Sequence, residues 1–409
     1  MARIVVCGYM IRHPVAGNLL AYFHYVLGLH RLGHEILYLE ESGWSRSCYD
    51  PLNRSYSDDP RYGVAQVQSL MKTYGVNAAL AYIDRDTGTV YGADWSEVKR
   101  MLNNADLLIN IGGVCWLPEF LSCSHRILID MDPFFTQIGT FATEGRSNYH
   151  AYFSYGTNIG KPNCAIPTNG IDWLPTVPPV IPEIWQNERL TSANREPEAD
   201  AALTTIANWN AYGGAMYQGE YYGQKAEEFL GLLELPSFCS QKLELAISGK
   251  DSEIQDIEKK LEGAGWFVRD GGAISADLST YRAYITNSRG EFSVAKQAYV
   301  KTHSGWFSDR SVCYLAAGRP VILQDTGFSD WLPTGWGVLA FSSLEEAIHS
   351  LEQVNINYPR QCWVARQLAE QFFSYKVVLP RLLDTALTLK GPSSFIPAVT
   401  SPCSRRKHE

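Results

Sequence analysis

Residues 302–325 read THSGWFSDRSVCYLAAGRPVILQD, and they gather groups suited to holding a charged leaving group. His303, Ser304, Ser308 and Ser311 supply an imidazole and three hydroxyls around Gly305, a residue that lets backbone approach a ligand closely. Ser308 has the residue type of a helix N-cap, Gly318 that of a C-terminal stop, and Pro320 prevents continuation. A loop, a short helix and an apolar strand over 321–323 follow from that punctuation. The free amides and positive dipole end of such a helix attract anions, so a diphosphate suits this cradle. An ordinary helix and strand of a doubly wound domain fits the same letters equally well.

A second set of candidates lies nearer the N-terminus. His13 falls in the loop after the apolar strand Arg3–Cys7, and an imidazole titrates where a general base must work. A solvent-facing or helix-capping histidine is an equal reading there, and His24, His30 and His34, in or just after a helix, read as structural. Asp130 and Asp132 follow, in DMD, a strand expected over 126–129. The same DxD pattern can hold a divalent cation. A separate phosphate cradle makes a metal unnecessary, so none is expected.

The elements that must position these residues alternate between strand and helix. A strand, a helix over 17–31 with Asn18 as cap, a GHE turn and a strand over 36–39 make a βαβ start. The glycine fingerprint of nicotinamide binding is missing from GYMIRHPVAGN. A long polar loop over 44–59, rich in Ser, Asp, Asn and Tyr, sits where acceptor-contacting segments are common. Further strands are expected at 79–83 and 105–111, and helices at 64–74 and 95–102. Segment 159–185 is dense in Pro and Gly and leads to a boundary, with a second α/β half from about residue 200. That half holds strands at 203–207, 243–248 and 266–268, and a helix carrying Lys225 near its start.

At 409 residues the chain exceeds one ordinary core, so two domains are expected. Hydrophobic content of 45% with 19% charge excludes general disorder. No apolar run is long enough to cross a bilayer, and no secretory signal is evident. The net charge of -8 argues against a nucleic-acid substrate. Nine scattered cysteines without CxxC spacing indicate neither a disulfide framework nor a zinc site, which fits a cytoplasmic protein. Its 23 Tyr and 11 Trp exceed what the core needs, and stacking platforms for sugar or base rings are one use for the surplus.

The THSGW segment, Ser308, the small-residue helix ending AAGRPV and the QD after the strand resemble the nucleotide-sugar signature of GT-B glycosyltransferases. The resemblance implies two Rossmann-like doubly wound α/β domains facing across a cleft, with a C-terminal helix crossing back to the first. The layout would be 1–185 for the acceptor domain, 200–365 for the donor domain, 366–390 for returning helices and 391–409 for a disordered tail. It implies a nucleoside-diphosphate sugar as substrate, no separate cofactor, and transfer to a small-molecule or lipid acceptor.

By position the diphosphate would meet Lys225, His303, Ser304, Gly305, Trp306, Ser308, Asp309, Arg310 and Ser311, and the sugar Asp325, Thr326 and Gly327. The base would lie near Val268, Arg269 and Asp270, and an inverting reaction would use His13 with Asp132 or Asp130. Two departures stand out. Two extra residues separate Trp306 from Gly318, and Ser311 and Cys313 stand where the family has its ribose glutamate. A nucleotide-sugar epimerase of the same fold and a sugar-nucleotide-binding protein without catalysis remain as alternatives.

Overall fold

The computed structural model describes residues 1–139, 148–185, 200–249 and 251–389, so the tail expected over 391–409 lies outside the described residues. Apolar runs such as IVVC, LLINI and VILQ are buried along their whole length, as strands covered on both faces by helices must be. They build two sheets. The first runs Trp173–Pro175, Ala151–Ser154, Arg126–Asp130, Leu107–Ile111, Arg3–Cys7, Glu35–Glu41, Ala79–Ile83, Val90–Gly92, parallel except for the last pair. The second runs Phe267–Asp270, Leu243–Ser248, Leu203–Asn208, Gly290–Ser293, Val321–Gln324, Val338–Phe341, all parallel.

In each sheet the first strand lies inside and the strand order reverses beside it. That reversal opens a crevice beyond the carboxyl ends of the strands, where open α/β sheets bind ligands. Asp130 ends such a strand in the first sheet, His13 and Asp132 follow such strands there, and Asp325 follows one in the second.

One helix joins the halves. Ala16–Arg31 is buried nearly all round, with Leu19, Phe23, Val26 and Leu27 joined by Tyr22, Tyr25 and Leu29. A helix apolar on every side must be covered on every side. The first sheet covers one face, and Leu278–Asn287 and Asp309–Ala316 of the second domain, with the C-terminal helix Tyr375–Thr388, pack elsewhere on it. The C-terminal segment returns through a strand-like tie. Val180 N–H donates to Phe373 O at 2.7 Å, and Tyr375 N–H to Val180 O at 2.9 Å.

Several local expectations change. Asn18 lies inside the helix and does not cap it; its amide donates instead to Tyr9 O at 2.6 Å and His13 O at 2.8 Å. The polar loop over 44–59 contains a hairpin, Cys48–Asp50 with Ser55–Ser57. Strands Ala151–Ser154, Trp173–Pro175, Gly290–Ser293 and Val338–Phe341 were not expected; at three or four residues each, they are too short for periodicity to mark.

The returning helix sets a sharp test. A Cβ added at Gly28 would sit 2.5 Å from Leu379 Cδ1 and 2.9 Å from Tyr375 Cβ. Alanine gains about 1 kcal/mol of helix propensity over glycine, whereas overpacking costs about 1–3 kcal/mol. Gly28→Ala is expected to lower stability by about 1 kcal/mol in denaturant unfolding; a stabilised variant would contradict this packing.

His24 gives a pH test. Burial pushes its pKa from 6.5 down to about 3, partly opposed by a hydrogen bond with the backbone of Pro179. The unfolded chain takes up a proton near pH 6.5 and the folded one does not, so stability is retained above 6.5 and falls as pH drops below it, by up to about 1.4 kcal/mol per unit. Between pH 7 and 5 the wild type should lose about 1–2 kcal/mol more than His24→Gln, compared through denaturant midpoints. Equal losses would show that His24 does not drive the effect.

Candidate functional site

Between the domains lies a cavity of about 240 Å³ walled by Met131, Asp132 and Tyr155 of the first and Lys225, Lys296, Tyr299, Trp306, Ser308, Asp309 and Arg310 of the second. Ser308 occupies the N-cap position of helix Asp309–Ala316, with extended backbone, yet its hydroxyl caps nothing. That hydroxyl has no hydrogen bond among the described residues, in contrast to the capping role expected of it. First-turn amides such as those of Asp309 and Ser311 have no acceptor within a helix. This end of the helix therefore presents donors and a positive dipole to the cavity.

Three cations share the wall. Arg310 is held in place: Nε meets Glu291 at 2.6 Å, Nη1 donates to Ile206 O at 2.7 Å, and Nη2 to Ser293 Oγ at 2.8 Å. Lys296 Nζ meets Asp132 at 2.9 Å and Tyr212 Oη at 2.7 Å. Lys225, first residue of helix Lys225–Gly231, has no hydrogen bond or ion pair among the described residues. Burial first, then the charge of Arg310, push its pKa well below the usual lysine value. An ammonium so placed gains most from an anion beside it.

Part of the signature faces elsewhere. The His303–Gly305 turn docks onto the first domain: Asn158 N–H donates to Ser304 O at 3.0 Å, Asn158 Nδ2 to His303 O at 3.2 Å and to Gly327 O at 3.1 Å, and Thr157 Oγ1 to Gly305 O at 3.1 Å. Gly305 has φ 74, and a Cβ there would collide with Thr157 Oγ1. His303 Nε2 lies 3.0 Å from Asp330. His303, Ser304 and Gly305, expected at the diphosphate, thus form an interdomain clasp outside the cavity lining, because their backbone carbonyls are bound to Asn158 and Thr157.

Asp325 folds back on Gly327 N–H at 2.8 Å and on Ser329, so it closes a turn. Thr326 donates to Trp306 O at 2.6 Å. With Ser308, Arg310, Gln324 and Ser311 it lines a recess of about 10 Å³ beside the cavity, room for one water. The Ser311 hydroxyl is buried there with no partner among the described residues. Val268, Arg269 and Asp270 belong to the edge strand Phe267–Asp270 and not to a loop; among the described residues none lines the cavity. Arg269 meets Glu244 at 3.2 Å, and Asp270 pairs with Arg54 at the tip of the first domain's hairpin.

His13 stands apart from both aspartates. Its ring stacks against Tyr49 at 5.0 Å and Tyr9 at 5.9 Å, next to Trp44 and Tyr56, and burial pushes its pKa down to about 4. The buried Glu40 accepts N–H from Ile11 at 2.7 Å and Arg12 at 3.1 Å, which fixes the loop carrying it. Neither aspartate orients His13. Asp130 is buried and saturated by Thr136 at 2.6 Å, Ser154 at 2.6 Å, Gln137 at 2.9 Å and the Asp132 amide at 2.9 Å, while Asp132 accepts from Lys296, Tyr212 and Tyr299. Among the described residues no group of three His, Cys, Asp or Glu is placed to hold a metal ion.

Lys296, Tyr299 and Tyr212 escaped the sequence reading. The signal for Lys296 was its place just after GEFSV, a strand too short to recognise.

No protein-family model matches the chain, and no curated protein matches it by sequence. Solved structures match its fold. An alpha-glucosyltransferase in complex with UDP and a 13-mer DNA is similar with a TM-score of 0.57 at 9% identity, covering 94% of this chain and 99% of that one. HepE of Anabaena, in complex with UDP and glucose, gives 0.56 at 8%, covering 94% and 99%. AviGT4, a glycosyltransferase involved in avilamycin A biosynthesis, gives 0.50 at 12%, covering 94% and 97%. Two parallel doubly wound domains, a cavity between them and a last helix returning to the first give this chain the GT-B fold of those glycosyltransferases.

Proposed function

We propose that the protein is a glycosyltransferase that moves a sugar from a nucleoside-diphosphate sugar to a hydroxyl of a small-molecule or lipid acceptor, independent of metal and with inversion. The observation that carries this reading is the interdomain cavity where Lys225 and the Ser308 hydroxyl, neither with a partner among the described residues, converge with the start of helix Asp309–Ala316. Two of the similar structures contain UDP, which supports a nucleoside diphosphate as the ligand class.

As the bond from the anomeric carbon to the diphosphate breaks, negative charge grows on the leaving oxygens. Lys225, the Ser308 hydroxyl and the first-turn amides are donors already aimed at that charge, and such preorganisation is the main protein contribution to transfer of this kind. The acceptor hydroxyl attacks the opposite face, and His13 takes its proton. Its low pKa keeps it neutral and proton-accepting at pH 7. The same low pKa makes it a weak base, so its share of the rate sits at the lower end of the usual range, about 10²-fold. Tyr9, Trp44, Tyr49 and Tyr56 around it offer faces for a ring-bearing acceptor.

The test is a panel of nucleotide sugars with release of nucleoside diphosphate followed in EDTA. Turnover in the chelator is expected, and activity that returns only with Mg²⁺ or Mn²⁺ would remove metal independence. Lys225→Met should weaken nucleoside diphosphate binding by about 1.5–3 kcal/mol, the range for a hydrogen bond to a charged group; wild-type affinity in calorimetry would take Lys225 out of the site. His13→Ala should lower turnover by about 10²-fold with folding intact, and unchanged turnover would assign the base elsewhere.

A further inference from the structure

Lys296 shares the cavity wall with Lys225 and Arg310, and its partner there is a carboxylate of the other domain. Asp132 follows the strand Arg126–Asp130 of the first sheet, while Lys296 follows Gly290–Ser293 of the second. The lysine is held by more than one charge: its ammonium also lies 4.6 Å from the Tyr212 ring centroid, 5.0 Å from Phe135 and 5.2 Å from Tyr299. Tyr212 and Tyr299 both donate to Asp132. The carboxylate thus stays well hydrogen-bonded when the ammonium turns away, so separating the pair does not strand a bare charge. Lys296 and Lys225 line the same cavity, and the charge of Lys296 is one of the lesser causes, after burial and Arg310, that lower the pKa of Lys225.

Resting on the diphosphate reading above, we infer that Lys296 is a second diphosphate-binding cation and that Asp132 competes with the ligand for it, so that donor binding exchanges an interdomain ion pair for a contact to phosphate. Two consequences follow from the charges. Removing the ammonium weakens diphosphate binding, and neutralising the carboxylate strengthens it, because the free protein no longer has an ion pair to break. The opposite signs separate this role from a structural one, since loss of a merely structural bridge would weaken binding from either side.

Calorimetric titration of UDP and of inorganic pyrophosphate, which lacks a base, tests the inference on wild type, Lys296→Met, Lys296→Arg and Asp132→Asn, with circular dichroism as the folding control. Lys296→Met is expected to weaken both ligands by about 10-fold or more, Lys296→Arg by less, and Asp132→Asn to tighten them about 3-fold. Wild-type affinity in Lys296→Met, or weakened binding in Asp132→Asn, overturns the inference while leaving the proposed function standing. If Lys296→Met does not fold, tighter binding in Asp132→Asn together with retained binding in Lys296→Arg supports it, and weaker binding in Asp132→Asn still defeats it. A wild-type protein that binds neither UDP nor pyrophosphate removes the proposed function itself, and this inference with it.

Discussion

A helix with no polar face has to be enclosed, and Ala16–Arg31 is enclosed by parts of both domains and by the C-terminal helix. That requirement fixes how the two sheets stand to each other, because the first sheet and the helices Leu278–Asn287, Asp309–Ala316 and Tyr375–Thr388 are all packed on one cylinder. Burying a large apolar side chain contributes about 1.5–3 kcal/mol. Eight such residues between Leu19 and Leu29 outweigh a surface pair between domains such as Arg54 with Asp270, which contributes about 0–1 kcal/mol. The two domains are therefore held around the cavity mainly by packing and less by ion pairs at the surface.

The charged residues on the wall divide by how firmly they are held. Arg310 is spent on Glu291, Ser293 and the carbonyl of Ile206, so it contributes a fixed positive field and braces the strand ends. Removing one partner from so buried a pair would leave an uncompensated charge, which costs about 3–5 kcal/mol. Among the described residues, no partner holds the Lys225 ammonium or the Ser308 hydroxyl. The wall thus combines rigid electrostatics with adjustable donors, an arrangement suited to a ligand whose charge changes during reaction.

Much of the fold was legible because its long strands are apolar runs and its long helices begin and end at recognisable residues. Gly318 has φ 68 where a left-handed stop was expected, and Gly33 has φ 85 in the GHE turn. What could not be read was which way a turn faces. His303, Ser304 and Gly305 have residue types suited to phosphate, yet the carbonyls of that turn are taken by Asn158 and Thr157, which lie some 145 residues earlier in the chain. Asp130 and Asp132 looked alike in sequence. One became a saturated buried node and the other a cavity residue: Asp130 is the last residue of the strand Arg126–Asp130, whereas Asp132 lies beyond it, where strand alternation no longer sets the direction of a side chain.

The clasp and the cavity use the same short stretch of chain. Gly305, whose carbonyl is bound by Thr157, is followed directly by Trp306 on the cavity wall, then by Ser308 at the helix start. Trp306 Nε1 also donates to Met131 O at 3.3 Å across the interface. A phosphate drawing on Ser308 and the first-turn amides would therefore pull on residues tied to the first domain within three positions. In the proposed reaction, domain contact and donor contact cannot change independently. The shape of the cleft would answer to the ligand through this covalent connection as well as through the exchange of charge at Lys296.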